Sequence, residues 1–386
     1  SGTADQGGAM KVMIVVTHLL GTGHLARALT LASAFRAKGD QVTVLSGGRP
    51  VPHFNTQGIR LIQLPPVHSN GTDFTTLLGE DGAPADPAYM AARRDVLLGA
   101  LEEVAPDILI TELFPFGRRI LRDEFAALLE AARDMDTAPL VLSSIRDILA
   151  PPSKPAKAVF ADEQVATFYD GVLVHSDPDL VTLAHSWPVS DTLAPSLHYT
   201  GFVAPAPPIA GTNDHGSILV SAGGGDVGER IFEAARDAAY LMPQVRWLFL
   251  MGGTDARRER FMRMAPPHVD IEAPRPDFRT LLAGAAASVS MCGYNTAMDV
   301  LQTGVPAVLI PFDDGGEVEQ GLRADALAHL DGITVLLQAG LSGPALAMAL
   351  EDVRNACPRP PHQTNMNGAA RSAEIAHDLR ARQVSQ

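Results

Sequence analysis

Cysteine is scarce in this sequence, which contains only Cys292 and Cys357 among 386 residues. Cys292 ends an apolar stretch that is typical of a strand, so we expect a reduced, buried thiol rather than half of a disulfide. Long apolar runs are also missing. None approaches the roughly 20 residues that cross a bilayer, and no signal peptide precedes Met10. These absences argue against a disulfide-stapled secreted domain and a membrane-spanning protein, and we expect a cytoplasmic location.

Positive charge is in short supply as well. The chain has 30 Lys and Arg residues against 44 Asp and Glu residues, which gives a formal net charge of -14. Nucleic-acid binding requires clustered Lys and Arg, so nucleic acid is excluded as a partner, and general adhesion to anionic lipid is disfavoured. This composition is compatible with peripheral contact with a membrane. The composition does not predict an oligomeric state.

What the chain does have is a repeated alternation of short β-branched runs with amphipathic helical stretches. This alternation predicts parallel sheets with crossover helices, an α/β architecture. An apolar stripe from Leu25 to Phe35 predicts the buried face of the first helix, which should end at Gly39. The predicted strands are 12–16, 42–46, 59–64, 108–111, 140–145, 172–175, 218–221, 245–251, 269–272, 287–291, 307–310 and 333–336.

The length and the 46% of hydrophobic residues are sufficient for two domains, each with its own core. Residues 205–216 are rich in Pro and Gly and lie between two similar series of strands, so we predict that they form a linker. The chain should therefore contain two tandem Rossmann-like, doubly wound domains, at residues 10–204 and 217–365.

The most informative stretch runs from Cys292 to Gln320. It predicts a strand, a Gly turn, a helix, a Gly-x-Pro turn at 304–306, a second strand, a polar loop and a further helix. This order places hydroxyl, carboxylate and amide side chains at the carboxyl ends of neighbouring parallel strands. Open α/β sheets bind their ligands at that edge.

The spacing in this stretch resembles the nucleotide-sugar site of glycosyltransferases with the GT-B fold, especially family 28. Asp299 stands five residues before the Gly of the Gly-x-Pro turn, where the family has an acidic residue that binds the ribose hydroxyls. Thr296 and Gly293 match a Thr and a Gly that precede this acid. Glu319 and Gln320 match the pair that holds the hydroxyls of the donor sugar, with one extra residue before the pair.

The resemblance has implications for the whole chain. It implies that the two domains face a cleft, that the second binds a UDP-sugar and the first the acceptor, and that a helix within 366–386 crosses back to the first domain. N-acetylhexosamine is the sugar that it favours. It adds Asn295 and Arg275 to the donor site, the latter where the family recognises the base. We expect no metal and no other cofactor, because Asp313-Asp314 lacks a third ligand and this fold neutralises the leaving group with backbone groups and a helix dipole.

Thr296 and Asp299 have a second interpretation. Thr-x-x-Asp before an apolar run is also a helix capping box, which satisfies unpaired N–H groups without any ligand. A capping box does not account for the following Gly-x-Pro turn, the buried strand and the Glu-Gln pair. We therefore prefer the nucleotide-sugar interpretation.

Both predicted domains open with a strand, a Gly-rich turn and a helix. In the second domain the turn contains Gly223, Gly224, Gly225 and Asp226, which we assign to the donor site. Glycines let a ligand approach the backbone, and the free N–H groups at a helix start favour an anion such as the donor pyrophosphate. The alternative is a tight turn without a ligand.

In the first domain the turn reads Gly21-Thr22-Gly23-His24. It resembles the family's Gly-Thr-Gly-Gly-His loop, which faces the acceptor, with one glycine fewer, so Gly21, Thr22 and Gly23 are predicted acceptor residues. An imidazole at this place can remove a proton near neutral pH, and the positive helix end lowers its pKa. Alternatively, His24 only bonds the loop or orients an acceptor phosphate.

The two turns also fit a dinucleotide fingerprint, at residues 21–26 and 223–228. A dinucleotide site needs an Asp or Glu at the end of the following strand to hold the ribose. The following strands end at Ser46-Gly47 and Met251-Gly252, and neither supplies an acid. Binding of NAD(P) or FAD is therefore not predicted.

A further polar cluster follows the strand that ends near Glu112. The loop 114–119 reads Phe-Pro-Phe-Gly-Arg-Arg and resembles a segment of a subgroup of predicted glycosyltransferases, as does the segment around Arg146. Arg118, Arg119 and Arg146 are predicted to clamp a phosphate or carboxylate on the acceptor, with Glu112 as an alternative base to His24. The alternative is a network of Arg–Glu ion pairs that only braces the loops.

These patterns together predict a metal-independent inverting glycosyltransferase that moves a sugar from a UDP-sugar to an acceptor hydroxyl. The rivals are a nucleotide-sugar hydrolase, whose Gly-x-Gly-His-x-x-Arg loop is also similar, a UDP-sugar 2-epimerase, and a sugar-nucleotide binding protein without catalysis. The sequence does not name the acceptor.

Overall fold

The computed structural model describes residues 8–71, 73–208, 214–223, 228–362 and 365–386. The chain divides into two compact units. Unit 1 comprises Ser1–Pro178, Thr182–Val203 and Asn367–Gln386, and unit 2 comprises Asp179–Val181 and Ala204–Met366.

Unit 1 is built on a parallel sheet. Its strands are β1 (Lys11–Val16), β2 (Gln41–Ser46), β3 (Arg60–Gln63), β6 (Ile108–Glu112), β7 (Leu140–Arg146), β8 (Gly171–His175) and β9 (Leu197–Tyr199), and β4 (His68–Asn70) and β5 (Asp73–Leu78) form a separate antiparallel pair. The order across the large sheet is β3-β2-β1-β6-β7-β8-β9. Every pairing in it is parallel, so crossover connections must run over its two faces.

Helices cover both faces of this sheet. They are α1 (Gly23–Ala37), α2 (Pro87–Val104), α3 (Arg122–Arg133), α4 (Pro155–Phe168) and α11 (Gly368–Val384). Successive residues of the central strand β1 point into two different apolar clusters: Met13 packs with α2, α3 and α4, whereas Ile14 packs with α1 and α11. Burial on both faces explains why this strand is apolar without alternation.

The C-terminal helix α11 belongs to unit 1. Ala373 and Ala376 are buried against α1, and the Nε2 atom of His377 lies 2.6 Å from a carboxylate oxygen of Asp40. A Cβ on Gly368 would lie 2.4 Å from the carbonyl oxygen of Gly201, so only glycine permits this close start of the helix.

Unit 2 repeats the architecture. Its strands are β10 (Ile218–Ser221), β11 (Trp247–Leu250), β12 (Val269–Glu272), β13 (Ala287–Ser290), β14 (Ala307–Leu309) and β15 (Ile333–Val335), and its helices are α5 (Glu229–Leu241), α6 (Asp255–Met264), α7 (Phe278–Ala283), α8 (Tyr294–Thr303), α9 (Glu319–Leu327) and α10 (Gly343–Asn355). The sheet is parallel, in the order β12-β11-β10-β13-β14-β15. Trp247 and Phe249 are fully buried at its centre.

The strand order reverses once in each sheet, between β1 and β6 in unit 1 and between β10 and β13 in unit 2. The loops that leave two adjacent strands at such a reversal diverge to opposite faces, and the crevice between them is where doubly wound sheets bind ligands. In unit 1 these loops begin after Val16 and Glu112, and in unit 2 after Ser221 and Ser290. In each unit, the strand reversal is therefore the expected position of a binding site.

Each of the twelve strands predicted from sequence is present, and the α/β architecture is confirmed. The predicted strand 245–251 is shorter, at Trp247–Leu250, and the strands β4, β5 and β9 were not predicted. Neither cysteine is part of a disulfide in the described structure, and Cys292 is buried whereas Cys357 is exposed. In the part of the chain that the structure describes, no helix combines the length and the apolarity that a membrane crossing requires.

Candidate functional site

His24 and Glu112 meet at the strand reversal of unit 1. His24 is the second residue of α1, the helix that follows the loop after β1, and Glu112 is the last residue of β6. The Nδ1 atom of His24 lies 3.1 Å from Oε1 of Glu112. Nδ1 also lies 3.1 Å from Nη2 of Arg27, whose N–H groups already donate to Oε1 of Glu112 at 2.7 Å. When Nδ1 donates to the carboxylate, which only accepts, the proton is on Nδ1 and the lone pair is on Nε2. That arrangement equips His24 to take a proton from a ligand.

Glu112 is held in its ionised form by its neighbours. The side chain is 2% exposed, and burial alone would raise its pKa. Arg27 donates to Oε1 from Nε at 3.1 Å and from Nη2 at 2.7 Å, and this positive charge, with the hydrogen bond from His24, keeps the pKa of Glu112 well below its usual range. A buried carboxylate of such low basicity is suited to orient His24 rather than to act as the base.

The environment of His24 favours the neutral imidazole. Burial is the largest influence, and it lowers the pKa of His24 from 6.5 to about 4 even though the hydrogen bond to Glu112 acts in the opposite direction. The positive charges of Arg27 and Arg118 add to the lowering. His24 is therefore deprotonated at neutral pH, which is the form that a general base needs.

The loop after β6 brings arginines towards this dyad. The backbone takes positive φ angles at Leu113 (73°) and Arg118 (59°), which non-glycine residues adopt rarely and mostly at functional sites. Arg118 donates from Nε to the carbonyl oxygen of Thr17 at 2.7 Å. Burial lowers the pKa of Arg118 to about 10, the charge of Glu112 opposes this effect and that of Arg146 adds to it, so Arg118 remains charged at neutral pH.

A cationic cavity of about 800 Å³ opens beside this loop in unit 1. It is lined by positively charged side chains together with apolar ones. The charged residues are Arg118, Arg119, Arg122, Lys154 and Lys157, with the single acid Asp123, and the apolar ones include Phe74, Ile120 and Phe160. Burial, followed by repulsion from Arg119 and Lys154, lowers the pKa of Lys157. We name this the cationic pocket.

Four cations of this pocket lie apart from carboxylates in the described part of the chain. Over the described residues, none of Arg119, Arg122, Lys154 and Lys157 pairs with a carboxylate within ion-pair distance. In a chain with a net charge of -14, acids are available to neutralise surface cations. The cluster therefore concentrates a positive field that would attract an anionic ligand.

The two glycine turns differ in how much of them is described. In unit 1, Gly21, Thr22 and Gly23 are exposed, and Thr22 precedes α1 without capping it through its side chain. In unit 2, Gly223 is described, with φ of 83° and open space beside it, whereas Gly224, Gly225 and Asp226 lie outside the described residues.

Helix α8 begins immediately after the strand reversal of unit 2. Gly293 is the N-cap of this helix. In its first turn, Asn295 is exposed and Thr296 is half-buried. A capping box at Thr296 and Asp299 would require the helix to start at Thr296, so that interpretation is wrong. The backbone N–H groups of the first turn therefore lack a side-chain cap from Gly293.

Asp299 is buried in the middle of α8 and pairs with an arginine that sequence reasoning missed. Its Oδ1 atom accepts from Nε of Arg279 at 2.8 Å. Burial raises the pKa of Asp299, and Arg279 opposes this effect. Arg279 also bonds Gln302 and donates to the carbonyl oxygen of Ala206 at 2.8 Å, so it ties the carboxylate to the segment that opens unit 2.

Glu319 and Gln320 open α9, on the neighbouring strand end. The side-chain oxygen of Gln320 accepts from the backbone N–H groups of Cys292, at 2.9 Å, and Phe312, at 3.0 Å. Its amide group, which only donates, is thus fixed beside Gly293. Glu319 is held by Arg323, a fully buried residue that also donates to the carbonyl oxygen of Cys292 at 2.9 Å.

Arg275 lies apart from this group of residues. Its guanidinium is exposed and pairs with Asp277, at 2.8 Å, and with Glu272, at 3.2 Å. Glu272 ends β12 and Asp277 directly precedes α7, so both partners lie within three residues of Arg275 and the pairing is local. The geometry gives Arg275 no visible role in a site, and Arg279, one turn further on, is the arginine that reaches Asp299.

Arg27 and Arg279 were not predicted as site residues, and the sequence gives a signal for only one of them. Arg27 follows His24 by three residues on a helix, a spacing that places both side chains on one face. Arg279 stands in no motif, because its contact with Asp299 depends on how α7 packs beside α8. Only the first contact was therefore within reach of sequence reasoning.

Comparison with known proteins connects this geometry to a family. Residues 261–379 match the glycosyltransferase family 28 C-terminal domain, a range that contains Asp299 and Gln320. An N-acetylglucosamine transferase of Brucella canis, named for transfer from UDP-N-acetylglucosamine to N-acetylmuramyl-(pentapeptide) pyrophosphoryl-undecaprenol, is 30% identical over 154 residues, or 38% of this chain. The chain spans 40% of the length of that relative in the match.

Solved structures agree on the fold. The calicheamicin glycosyltransferase CalG4 has a TM-score of 0.59 at 16% identity, with 97% of each chain covered. MurG of Acinetobacter baumannii has a TM-score of 0.59 at 16% identity, covering 95% of this chain and 99% of that one. At these identities the likeness shows the fold alone. The protein thus has the GT-B fold of glycosyltransferases, and its residues 261–379 are similar to the glycosyltransferase family 28 C-terminal domain.

Proposed function

We propose that the protein is a metal-independent inverting glycosyltransferase that moves an N-acetylhexosamine from a UDP-sugar to an acceptor hydroxyl. The observation that carries this proposal is the match of residues 261–379 to family 28 across the strand ends where Asp299 and Gln320 lie. Unit 2 would hold the donor, with Asp299 at the ribose, Gln320 at the sugar and the Gly-rich turn at the diphosphate.

The reaction is a single displacement. His24 in unit 1 takes the acceptor's hydroxyl proton on Nε2, and the acceptor oxygen forms a bond to the anomeric carbon. The bond from that carbon to the diphosphate oxygen breaks, and the electron pair leaves with UDP. Glu112 stabilises the imidazolium that forms on His24 at 3.1 Å, and backbone N–H groups at a helix start stabilise the charge on UDP.

The cationic pocket supports an anionic acceptor. Arg118, which lines this pocket, is also close enough to His24 to lower its pKa. A phosphate or carboxylate bound by Arg118, Arg119 and Lys157 would leave the acceptor's hydroxyl within the same unit as the base. Phe74 and Phe160 offer an apolar surface beside the charges.

The proposed function is tested by incubating the protein with UDP-N-acetylglucosamine in EDTA, with and without candidate acceptors. We expect binding with negligible turnover when no acceptor is present. With an anionic acceptor, UDP should be released and the product should carry the inverted anomeric configuration in its proton NMR spectrum. Prompt stoichiometric release of UDP without acceptor would indicate a hydrolase, and an isomerised sugar with UDP retained would indicate an epimerase.

The ribose assignment has its own test. Replacing Asp299 with Asn keeps the size of the side chain but removes the charge, so we expect the dissociation constant for UDP to rise about tenfold to a hundredfold. A hydrogen bond to a charged group contributes about 1.5–3 kcal/mol, which sets this range. Calorimetric titration with UDP measures the effect.

The matched control is Asp270→Asn, because Asp270 also belongs to unit 2 and pairs with an arginine, Arg246, at 2.9 Å, but on the exposed surface. We expect this variant to bind UDP as the parent protein does. Unchanged affinity in Asp299→Asn would remove Asp299 from the ribose site.

A further inference from the structure

A line of buried polar side chains continues behind Glu112, away from His24. The second carboxylate oxygen of Glu112 accepts from the hydroxyl of Ser144 at 2.8 Å. The same hydroxyl oxygen lies 2.8 Å from Nε2 of His175, and Nδ1 of His175 lies 2.9 Å from the hydroxyl of Thr200. Ser144, His175 and Thr200 have no role in the mechanism described above.

The position of these side chains in the sheet is unusual. Ser144 and His175 lie on β7 and β8, neighbouring parallel strands in the interior of the sheet, and both are fully inaccessible to solvent. Such strands are normally apolar throughout, and buried polar groups are unfavourable unless they are bonded. A fully buried imidazole therefore calls for an explanation beyond packing.

The chemistry of the partners fixes the direction of the hydrogen bonds. Glu112 is ionised and can only accept, so the hydroxyl proton of Ser144 points to Glu112. Ser144 then has only lone pairs to offer to His175, which requires the proton of His175 on Nε2. The bonds from His175 to Ser144 and from Ser144 to Glu112 thus both donate towards Glu112, and successive bonds in such a chain polarise one another.

We propose that Ser144 and His175 are positioning residues that orient Glu112 as the acceptor of the Nδ1 proton of His24. With one oxygen of Glu112 fixed by Ser144, the other remains aligned with His24, and the lone pair of His24 stays on Nε2. The inference rests on the proposed function of His24 as the base. It deepens that function by assigning two residues that touch neither substrate.

Charged groups from several elements act on His24 and His175. His24 is faced by Arg27 on its own helix, by Glu112 on β6 and by Arg118 in the loop after β6. Burial lowers the pKa of His175, the charge of Arg27 acts in the same direction and that of Glu112 opposes it. Without the hydroxyl of Ser144, the carboxylate of Glu112 loses the bond that fixes its second oxygen and can rotate away from Nδ1 of His24.

The test compares Ser144→Ala with Ser143→Ala. Ser143 is the preceding residue of β7, is equally buried, and bonds the carbonyl oxygen of Phe114 at 2.9 Å instead of a carboxylate. We expect Ser144→Ala to lower kcat about tenfold, the change that follows from losing one hydrogen bond to a charged group. Ser143→Ala should keep the parent kcat.

A second readout does not depend on enzymatic activity. Nitrogen-15 NMR of protein labelled in its histidine rings reports which ring nitrogen carries the proton, and His24→Gln identifies the signals of His24. We expect the parent and Ser143→Ala to hold the proton on Nδ1, and Ser144→Ala to show a mixture of both tautomers. A parent signal with the proton on Nε2, or an unchanged signal in Ser144→Ala, would overturn the proposal.

Substitutions of His175 separate positioning from folding. His175→Gln retains an N–H donor for Ser144, whereas His175→Leu removes it, and neither retains a titratable ring. We expect the tautomer of His24 and kcat to be closer to the parent in the Gln variant. Equal behaviour of two folded variants would contradict the proposal. If no transferase activity is found but the tautomer changes as expected, the proposed function fails while the positioning role stands.

Discussion

Replacing His24 with Gln should lower kcat of the sugar transfer by a factor of about 10² to 10⁴, because a positioned general base contributes that much. Gln can still form a hydrogen bond but cannot take a proton near neutral pH. The affinity for UDP should not change, since Asp299 and Gln320 belong to unit 2 whereas His24 belongs to unit 1. Steady-state kinetics and calorimetric titration measure the two quantities.

The pH profile carries a second signature of the same residue. Burial lowers the pKa of His24 to about 4, and the active form is the deprotonated one, so the rate should fall only as the pH drops through about 4 and stay level from 6 to 8. His24→Gln should lack this limb. An acid limb near 6.5 in the parent, or full activity in His24→Gln, would contradict the assignment. The control is His185→Gln, an exposed histidine of unit 1 bonded within its own turn.

The largest effect on stability is expected at Arg93. This fully buried guanidinium bonds both carboxylate oxygens of Glu124 at 3.0 Å and donates to the carbonyl oxygens of Gly47 at 2.8 Å and Pro65 at 2.6 Å. Arg93→Met leaves a buried carboxylate and two carbonyl groups without their donor. Breaking a buried ion pair in this way should lower the free energy of unfolding of unit 1 by about 3–5 kcal/mol.

Two tryptophans make this measurement selective. Trp187 is buried in unit 1 and Trp247 in unit 2, and the chain has no third tryptophan. In a Trp247→Phe background, fluorescence during urea unfolding reports unit 1. The control is Arg60→Met, because Arg60 pairs with Glu103 at 2.8 Å but with both side chains more than half exposed, and should cost about 0–1 kcal/mol. Similar losses in the two variants would show that burial of the Arg93 pair is not decisive.

Sequence patterns identified the strands well because each strand is a local feature. β1 and β6 are short apolar runs with turn residues on either side, and their burial on both faces leaves a plain signal. The pair β4 and β5 was not predicted because the first four residues of β5 are exposed, so its sequence carries no apolar alternation. The edge strand β9 is three residues long and half-buried, which is too little for such a pattern to appear.

The site shows the same division. The placement of His24, Gly293 and Gln320 at strand ends followed from the order of strands and turns. The partners of these residues did not follow. Glu112 pairs with Arg27, which is 85 residues away in the chain, rather than with the arginines of its own loop, and Asp299 pairs with Arg279 rather than standing open. Which of several arginines reaches a buried carboxylate depends on register and helix packing.

By itself the sequence determined two α/β units, the glycine turns after their first strands and the family resemblance between Cys292 and Gln320, because periodicity and turn chemistry act over a few residues. Only the tertiary structure decided that Glu112 lies behind His24 and that Ser144 and His175 continue the line. Those contacts join segments far apart in the chain, and they form only when strand order and register bring the segments together.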